Sequence, residues 1–449
     1  MNKIKTVINK YYFFELVIIS IFSYIYFINS WVSDDAFISF RTIDNFINGY
    51  GLRWNIAERV QSFTNPLWIL FLSPFYLIFK EIYFTNLFIS FFSSLFSILL
   101  VLKKINSIRL KLFLFLILIS SKAFIDYSSG GLENSLNYFL LILFYFQFLK
   151  ILYKENKSIL PKTYFLIILL SSLILFSRLD LILFIVVPLI YTFTRWKNFN
   201  GNKILWTVLG FTPIFIWLIF STIYFGFSLP NTFYAKMNSI ESFAFKFNGG
   251  LNYFKYSIKN DSITIIIILS SIYFFLKNLK TKQSILFSGI FLYSIYIFYT
   301  GGDFMGGRFF SYSVILSLLF IFIYYHERLI KRINYFFPLI ILYLILFPNS
   351  TIYIPSKPSM SIKGIGDEKI VYHKTTSLVY NWKNKSGLNK EKTRILSNKD
   401  FLNKNIIITP IIGMTGYFLG PKIHILDPLA LTDPLLARLP GKGRVGHKY

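Results

Sequence analysis

Two adjacent carboxylates, Asp34 and Asp35, lie in the stretch "WVSDDAFISFR" directly after a long apolar run. A carboxylate in such a place can take a proton from a hydroxyl group or attack a carbon centre as a nucleophile. Each acid opposes the ionisation of the other, and partial burial raises a carboxyl pKa further. If the following residues are helical, Asp34, Ile38 and Arg41 share a face, so that Arg41 could hold Asp34 ionised. The alternative is that the acids only mark the point where a helix meets water.

The stretch "GGDFMGGRFF" at residues 301–310 is the second place where chemistry could gather. Four glycines around Asp303 and Arg308 allow the backbone to approach a ligand closely. Arg308 carries a planar, permanently charged guanidinium, which suits a phosphate group. The alternative is a flexible loop between helices that ends in an anchoring arginine.

A third polar stretch is "LPNTFYAK" at residues 229–236. Lys236 could supply a second cation, and Tyr234 could stack on a sugar ring. The alternative is a belt of interfacial aromatic residues with a lysine that extends to the membrane surface.

The remaining ionisable residues favour structural roles. Arg178 and Asp180 in "SRLD" are predicted to form an ion pair that ties helix ends together, and Glu133 in "GGLEN" is placed to cap a helix start. The histidines show no metal-ligand spacing, so the sequence predicts no histidine-based metal site; they are His326, His373, His424 and His447.

These polar stretches are positioned by a chain that is 55% hydrophobic and 20% aromatic over 449 residues. Repeated apolar runs long enough to cross a bilayer predict a polytopic α-helical membrane protein. The absence of cysteine excludes disulfides, thiolate metal sites and cysteine nucleophiles. The net charge of +27 does not indicate nucleic-acid binding, because the basic residues lie in short loops between apolar helices, as the positive-inside rule describes.

The distribution of lysine and arginine orients the helices. Basic loops, assigned to the cytoplasm, occur at residues 1–10, 103–111, 150–162, 195–203, 277–282 and 326–332. The sequence therefore predicts about eleven transmembrane helices, with the N-terminus inside and the C-terminus outside. Residues 66–83 are predicted to form a juxtamembrane helix after a first outer loop at 33–65, because Pro66 and Pro74 interrupt a run too short to span. The transmembrane domain then covers residues 1–348, and residues 349–449 form a small outer α/β domain with short strands in "NIIITPII" and "KIHILD".

All of the unusual polar stretches fall on the predicted outer side. Ionisable residues are almost absent from the predicted spans, whereas a proton-coupled transporter or a channel with a charged filter needs some there. No internal repeat of the kind found in many transporters is visible. This distribution favours an enzyme whose substrate arrives in the lipid.

Six segments, in order along the chain, resemble the membrane terminal β-(1→2)-arabinofuranosyltransferases, a family of the GT-C superfamily of glycosyltransferases that use polyprenyl-phosphate-linked sugars. They are "DDAFISFRTIDNFINGYGLRWNIAERVQSFTNPLW", "GGLEN", "RLD", "PNTFYAK", "GGDFMGGRF" and "LDPLALTDPLLARLP…RVGH". The fourth and fifth are the most specific. Gln61 departs from the family, which often has an acid after "ERV", and family members continue into a larger outer domain after the position of "GHKY". The resemblance therefore supports the donor better than the acceptor.

The resemblance implies a GT-C fold with catalytic Asp34 and Asp35 on the first outer loop and a polar cavity that faces the periplasm. It implies that Arg308 binds the donor phosphate, and Lys236 and Arg41 are further candidates for this role. The candidate substrate-binding residues are Asp303, Asn231, Tyr234, Glu133, Arg178, Asp180 and His447.

The expected function is transfer of a sugar, a pentofuranose such as arabinofuranose, from a polyprenyl-phosphate donor to a cell-envelope glycan at the outer face of the bacterial cytoplasmic membrane. The expected partners are this donor, the glycan acceptor and the bilayer, with no nucleic acid. No cofactor is expected, and the sequence gives no support for a divalent metal. One alternative is an O-antigen ligase or polymerase, although such enzymes usually carry their catalytic loop late in the chain. The other is a transporter of lipid-linked glycans, which would need basic residues inside a membrane cavity.

Overall fold

The chain is mainly helical in a computed structural model. Its backbone is described for residues 2–153, 159–195, 199, 201–238, 241–355, 361–384, 387–401, 404–444 and 447–448. Its side chains are described for the same residues except 2–12, 383–384, 387, 444 and 447–448.

The first three hundred and fifty residues form sixteen of the helices described, with a short 3-10 turn at Leu179–Leu181 before α9. The helices are α1 Asn2–Asn29, α2 Asp34–Ile47, α3 Pro66–Phe79, α4 Ile82–Lys103, α5 Ile108–Ser120, α6 Lys122–Tyr127, α7 Asn134–Leu152, α8 Pro161–Ser177, α9 Ile182–Thr194, α10 Lys203–Phe225, α11 Asn231–Met237, α12 Phe243–Asn260, α13 Ser262–Lys277, α14 Ser284–Thr300, α15 Phe310–Tyr324 and α16 His326–Leu346.

Several of these helices have the length and composition of membrane spans. Within the part of the chain that the structure describes, α4, α7, α10 and α16 are long and apolar enough to cross a bilayer, and α1 with α2 would add a fifth span if the bent pair counted as one. In α10 and α16 only 22% and 17% of the apolar window is buried, so their apolar side chains face outward, as lipid-facing helices require. The structure is thus consistent with a helical membrane protein, and the count of eleven spans stays a prediction.

The chain turns sharply between α1 and α2, at an angle of 94°. Residues 30–33 are not helical, and Ser33 caps the new helix because its hydroxyl accepts a hydrogen bond from the Ala36 N–H. The next helix, α3, begins with Pro66 at its first position, where a missing N–H costs nothing. The helix predicted for residues 66–83 is therefore present but ends at Phe79, before Lys80 in a left-handed conformation.

The C-terminal hundred residues contain short helices and two small strand pairs. The helices are α17 Glu368–Thr376, α18 Leu378–Asn384, α19 Gly387–Leu396 and α20 Gly413–Leu419. Strands β1 (Ile406–Ile408) and β2 (His424–Leu426) lie in the two segments predicted to form strands, and they pair in parallel. Strand β3 (Gly443–Arg444) pairs antiparallel with β4 (His447–Lys448).

This C-terminal segment is bound tightly to the first part of the chain. The Thr376 hydroxyl donates to the Val32 carbonyl at 2.8 Å and accepts from the Val32 N–H at 3.0 Å. Lys369 is buried, and its ammonium donates to the Asp126 carboxylate at 2.6 Å and to the side-chain oxygen of Asn29. The segment therefore shares a buried polar interior with the helices that precede it.

Candidate active site

Helix α2 carries both candidate acids in its first turn. The free N–H groups at the start of a helix favour negative charge, so this position suits two carboxylates. Successive residues of a helix point about 100° apart, so Asp34 and Asp35 meet different surroundings.

Asp34 holds the C-terminal segment. Its two carboxylate oxygens accept hydrogen bonds from the backbone N–H groups of Gly413 at 2.9 Å and Met414 at 2.8 Å. The contact is so close that a Cβ at Gly413 would lie 1.9 Å from the Asp34 carbonyl oxygen. Both oxygens of Asp34 are thus occupied by backbone, and the geometry favours Asp35 as the reacting carboxylate.

Asp35 lines a cleft with three other residues that the sequence singled out. The cleft has a volume of about 650 Å³, including the part open to solvent. Asp35 comes from α2, Lys236 from α11, and Asp303 and Arg308 from the loop between α14 and α15. Three distant stretches of sequence therefore place two cations and two acids around one space. Further polar lining comes from Ser39, Ser62, Thr64, Asn65 and Thr232, and apolar lining from Ile38, Phe63, Leu132, Phe304 and Leu431.

Arg308 is held in place by two carboxylates. Its Nη1 lies 3.5 Å from Asp303 Oδ2, and its Nη2 lies 3.5 Å from Glu133 Oε1. Glu133 is fully buried and also accepts from Arg178 Nη1 at 2.8 Å and Asn65 Nδ2 at 2.7 Å. Although burial opposes ionisation, the two guanidinium groups hold the pKa of Glu133 below its usual range. Glu133 therefore positions Arg308, and the prediction that it binds the sugar finds no support in these contacts.

The predicted ion pair between Arg178 and Asp180 is confirmed. Arg178 donates from Nε to Asp180 Oδ1 at 2.8 Å and from Nη2 to Oδ2 at 2.9 Å. Tyr293 adds a hydrogen bond from its hydroxyl to Asp180 Oδ2 at 2.9 Å. Neither member of the pair is among the residues that line the cleft, so the structure gives no support to their predicted contact with the substrate. Arg178 contacts Glu133 instead.

Three buried polar atoms of cleft residues have no hydrogen-bond partner in the described part of the protein. They are Arg308 Nε, Ser62 Oγ and Thr232 Oγ1. Buried polar groups in folded proteins are nearly always paired. One guanidinium nitrogen and two hydroxyls without a protein partner beside one cleft are suited to an oxygen-rich, negatively charged ligand.

The carboxyl of Asp35 is protonated unusually easily. Burial raises its pKa to about 7, with the Arg308 guanidinium lowering it and the charges of Asp34 and Asp303 raising it. Burial also raises the pKa of Asp34, against the effect of its two backbone donors. A carboxylate with a pKa near 7 can accept and release a proton at neutral pH.

Glu368 is an acid near the cleft that the sequence analysis missed. Burial raises its pKa to about 8, and Asp35 is the charged group that contributes most to this shift. The neighbouring Gly366 pairs with the loop of Arg308: Gly306 N–H donates to the Gly366 carbonyl at 2.9 Å, and Gly366 N–H donates to the Phe304 carbonyl at 3.0 Å. The only sequence signal was an acidic pair after glycine in "GIGDEK".

Arg41 does not bind phosphate in this arrangement. Its guanidinium is buried over the Trp54 ring at 4.5 Å and donates to the carbonyls of Gly416 at 3.1 Å and Ile423 at 2.8 Å. The helical face predicted for α2 is present, but the donors of Arg41 go to backbone carbonyls and not to Asp34. These contacts give no support to the predicted phosphate role of Arg41.

Asn231 and Tyr234 also contact the C-terminal segment and do not line the cleft. The Asn231 amide donates to the carbonyls of Leu431 at 3.1 Å and Asp433 at 2.9 Å, and its oxygen accepts from Arg438 Nη1 at 2.9 Å. The Tyr234 ring lies 4.8 Å from the Arg438 guanidinium. Asn231 and Tyr234 thus contact other parts of the chain, and these contacts give no support to their predicted role in binding the sugar. The side chain of His447 lies outside those that the structure describes.

Among the residues that the structure describes, no group of three or more histidine or acidic side chains is arranged to hold a metal ion.

Comparison with known proteins identifies no relative. No protein-family model matches the chain, and no curated protein or solved structure matches it either.

Proposed function

We propose that the protein is a membrane glycosyltransferase of the GT-C type, which transfers a sugar from a polyprenyl-phosphate donor to an envelope glycan at the outer face of the cytoplasmic membrane. The observation that carries this proposal is the cleft in which Asp35 shares the lining with Arg308, whose Nε is buried and unpaired. The motif resemblance supplies the sugar class, a pentofuranose such as arabinofuranose.

Arg308 and Lys236 would bind the phosphate of the donor. During transfer the bond between the anomeric carbon and the phosphate oxygen breaks, and the polyprenyl phosphate leaves with that electron pair. Fixed cations stabilise the charge that develops on the leaving oxygen, and they do so best in a site already organised for it. Glu133 and Asp303 supply this organisation, because both contact the Arg308 guanidinium.

Asp35 would act on the other side of the sugar. As a general base it takes the proton of the acceptor hydroxyl while the oxygen of that hydroxyl bonds to the anomeric carbon, which inverts the configuration. As a nucleophile it first forms a glycosyl ester, and the acceptor then displaces it with overall retention. The anomeric configuration of the product distinguishes the two courses.

The placement of charge supports an enzyme over a transporter. Glu133 immediately precedes α7 and Arg308 lies two residues before α15, so the network sits at the helix ends. A transporter would need such groups deeper between the helices. With eleven spans, as proposed here, all of the cleft segments lie on the outer side.

The proposal is tested with the full-length protein in lipid nanodiscs, a synthetic short-chain polyprenyl-phosphate arabinofuranose and an envelope glycan as acceptor. Mass spectrometry should show addition of one pentose by the wild type and by Glu327→Gln, which changes an exposed acid beyond the opposite end of α15 from Arg308. Asp35→Asn should give at most about one hundredth of that product. Absence of transfer from this donor and from polyprenyl-phosphate hexoses would contradict the proposal.

A further inference from the structure

A second large cavity lies at the opposite ends of the helices that border the cleft. Its volume is about 1180 Å³, including open space, and it is lined by Leu149 and Lys150 near the end of α7 and by Phe322 near the end of α15. The cleft lies at the beginnings of the same two helices, at Leu132 and Arg308. A helix of the length of α7, 19 residues, is about 28 Å long, close to the thickness of the hydrocarbon core. The two cavities are therefore separated by about one membrane thickness.

The interior of this cavity is apolar. Leu110, Leu149 and Phe322 are buried lining residues, and Phe146 is half-buried beside them. Walls of this kind match hydrocarbon and give a small hydrophilic ion nothing to bind. A ligand that fills the cavity must therefore carry an apolar portion.

The rim of the cavity is basic. Lys104 and Lys150 are exposed, and His326 lies beside them. The Lys104 ammonium lies 4.8 Å from the centre of the Phe146 ring, and Lys150 donates to the Gln147 side-chain oxygen at 2.8 Å. No acidic side chain is among the described residues that line the cavity, so neither ammonium is neutralised there.

An adjoining cavity extends the same pattern. It has a volume of about 740 Å³, shares Lys150 and adds Lys162 next to apolar Leu160 and Leu166. Three lysines thus border two neighbouring cavities with apolar walls. A positive rim above apolar walls complements an amphiphile with a negative headgroup and hydrocarbon chains.

We infer that the cavity bordered by Lys104 and Lys150 binds an anionic phospholipid of the cytoplasmic leaflet, with the headgroup phosphate at the two ammonium groups and an acyl chain against Leu110, Leu149 and Phe322. This site uses none of the cleft residues, so it is independent of the proposed transfer reaction. Helices α7 and α15 run from one site to the other. The lipid therefore also stabilises the two helices that begin beside Glu133 and Arg308.

Native mass spectrometry of the full-length, delipidated protein tests this inference. Phosphatidylglycerol is titrated against phosphatidylcholine with the same acyl chains, and glycerol phosphate serves as a headgroup without chains. The wild type should retain phosphatidylglycerol in preference to both. Each lysine near a lipid phosphate increases the affinity roughly five- to sixfold. The double variant Lys104→Ala, Lys150→Ala should therefore bind phosphatidylglycerol about thirtyfold more weakly than the wild type.

The control is the double variant Lys277→Ala, Lys280→Ala, which removes two exposed charges from a different basic loop. It should keep the wild-type affinity. Equal weakening of both double variants would overturn the inference, since binding would then follow net charge alone. Equal retention of phosphatidylcholine, or binding of glycerol phosphate as tight as that of the lipid, would overturn it as well. Thermal unfolding of each variant without added lipid shows that the variants are folded.

Discussion

Asparagine substitution should separate the roles of the two neighbouring aspartates. In Asp34→Asn the side chain keeps one acceptor oxygen but presents an amide N–H₂ to the second backbone donor, so one of the hydrogen bonds to Gly413 and Met414 is lost. A buried N–H left without a partner costs about 1–3 kcal/mol of folding free energy. We therefore expect Asp34→Asn to be destabilised by about that amount and to lose activity only as far as the C-terminal segment loosens.

Asp35→Asn should behave in the opposite way. No hydrogen bond to a described residue is lost, but the carboxylate base or nucleophile is removed, so turnover should fall by about a hundredfold to ten-thousandfold or more. The pKa of Asp35 is about 7 in the folded protein, above the value of roughly 3.9 for an unfolded aspartate. The wild type therefore loses stability as the pH rises from about 4 to 7, a loss that asparagine avoids. At pH 8 Asp35→Asn should be at least as stable as the wild type, and this advantage should shrink as the pH is lowered toward 4.

The assay combines thermal unfolding in detergent at pH 5, 6.5 and 8 with single-turnover transfer from a synthetic polyprenyl-phosphate sugar. Asp44→Asn, on the same helix but away from the cleft lining, is the control for a general effect of charge loss on α2. The reasoning is refuted if Asp35→Asn transfers sugar at a normal rate, or if Asp34→Asn is fully stable but inactive.

Three further predictions concern the surroundings of the cleft and the topology. Arg308→Lys should lower turnover by roughly a hundredfold to a thousandfold, because a single ammonium cannot replace the fork of donors; steady-state rates equal to those of the wild type, or to those of the control Arg328→Lys, would show that Arg308 is only an anchor. Lys369→Ala should destabilise the protein by about 1–3 kcal/mol in thermal unfolding, since it removes one of the two lysines paired with buried Asp126, which keeps Lys122, whereas exposed Lys374→Ala should not; equal unfolding temperatures would contradict this. Alkaline-phosphatase fusions after Gly302 should be active and those after Lys104 inactive, and activity at Lys104 would mean that α3 also crosses the membrane.

The features that sequence analysis predicted are those with local causes. Apolar runs predict helices because a long apolar segment can satisfy its backbone only within itself in lipid. Pro66 marked the start of α3 because proline lacks the N–H that the first helical position does not use. Asp35, Asp303 and Arg308 line one cleft, and this agrees with the prediction that their polar stretches lie on the same side of the membrane.

The contacts that Arg41 and Asn231 make could not be predicted, for a different reason. Both side chains are polar, and their predicted place near the membrane boundary is equally compatible with a ligand and with backbone carbonyls. Their partners, such as Gly416 and Leu431, are between about 200 and 375 residues away along the chain, and no local pattern announces such a pairing. Glu368 was missed because its place depends on the pairing of Gly366 with the loop of Arg308.

The same long-range pairing determines when the site can assemble during synthesis. Asp34 must wait for Gly413, which lies 379 residues later and is therefore translated about 20 to 75 s later at 5–20 residues per second. Until then Asp34 lacks its backbone donors, and Arg41 and Asn231 lack their partners in the C-terminal segment. A chain that ends before residue 413 lacks the backbone donors that bind Asp34, although α2 keeps its contacts with earlier residues, such as the hydrogen bond from the Tyr76 hydroxyl to Asp44. The cleft can therefore take its full form only after the C-terminal segment, which supplies Leu431 to its lining, has been made.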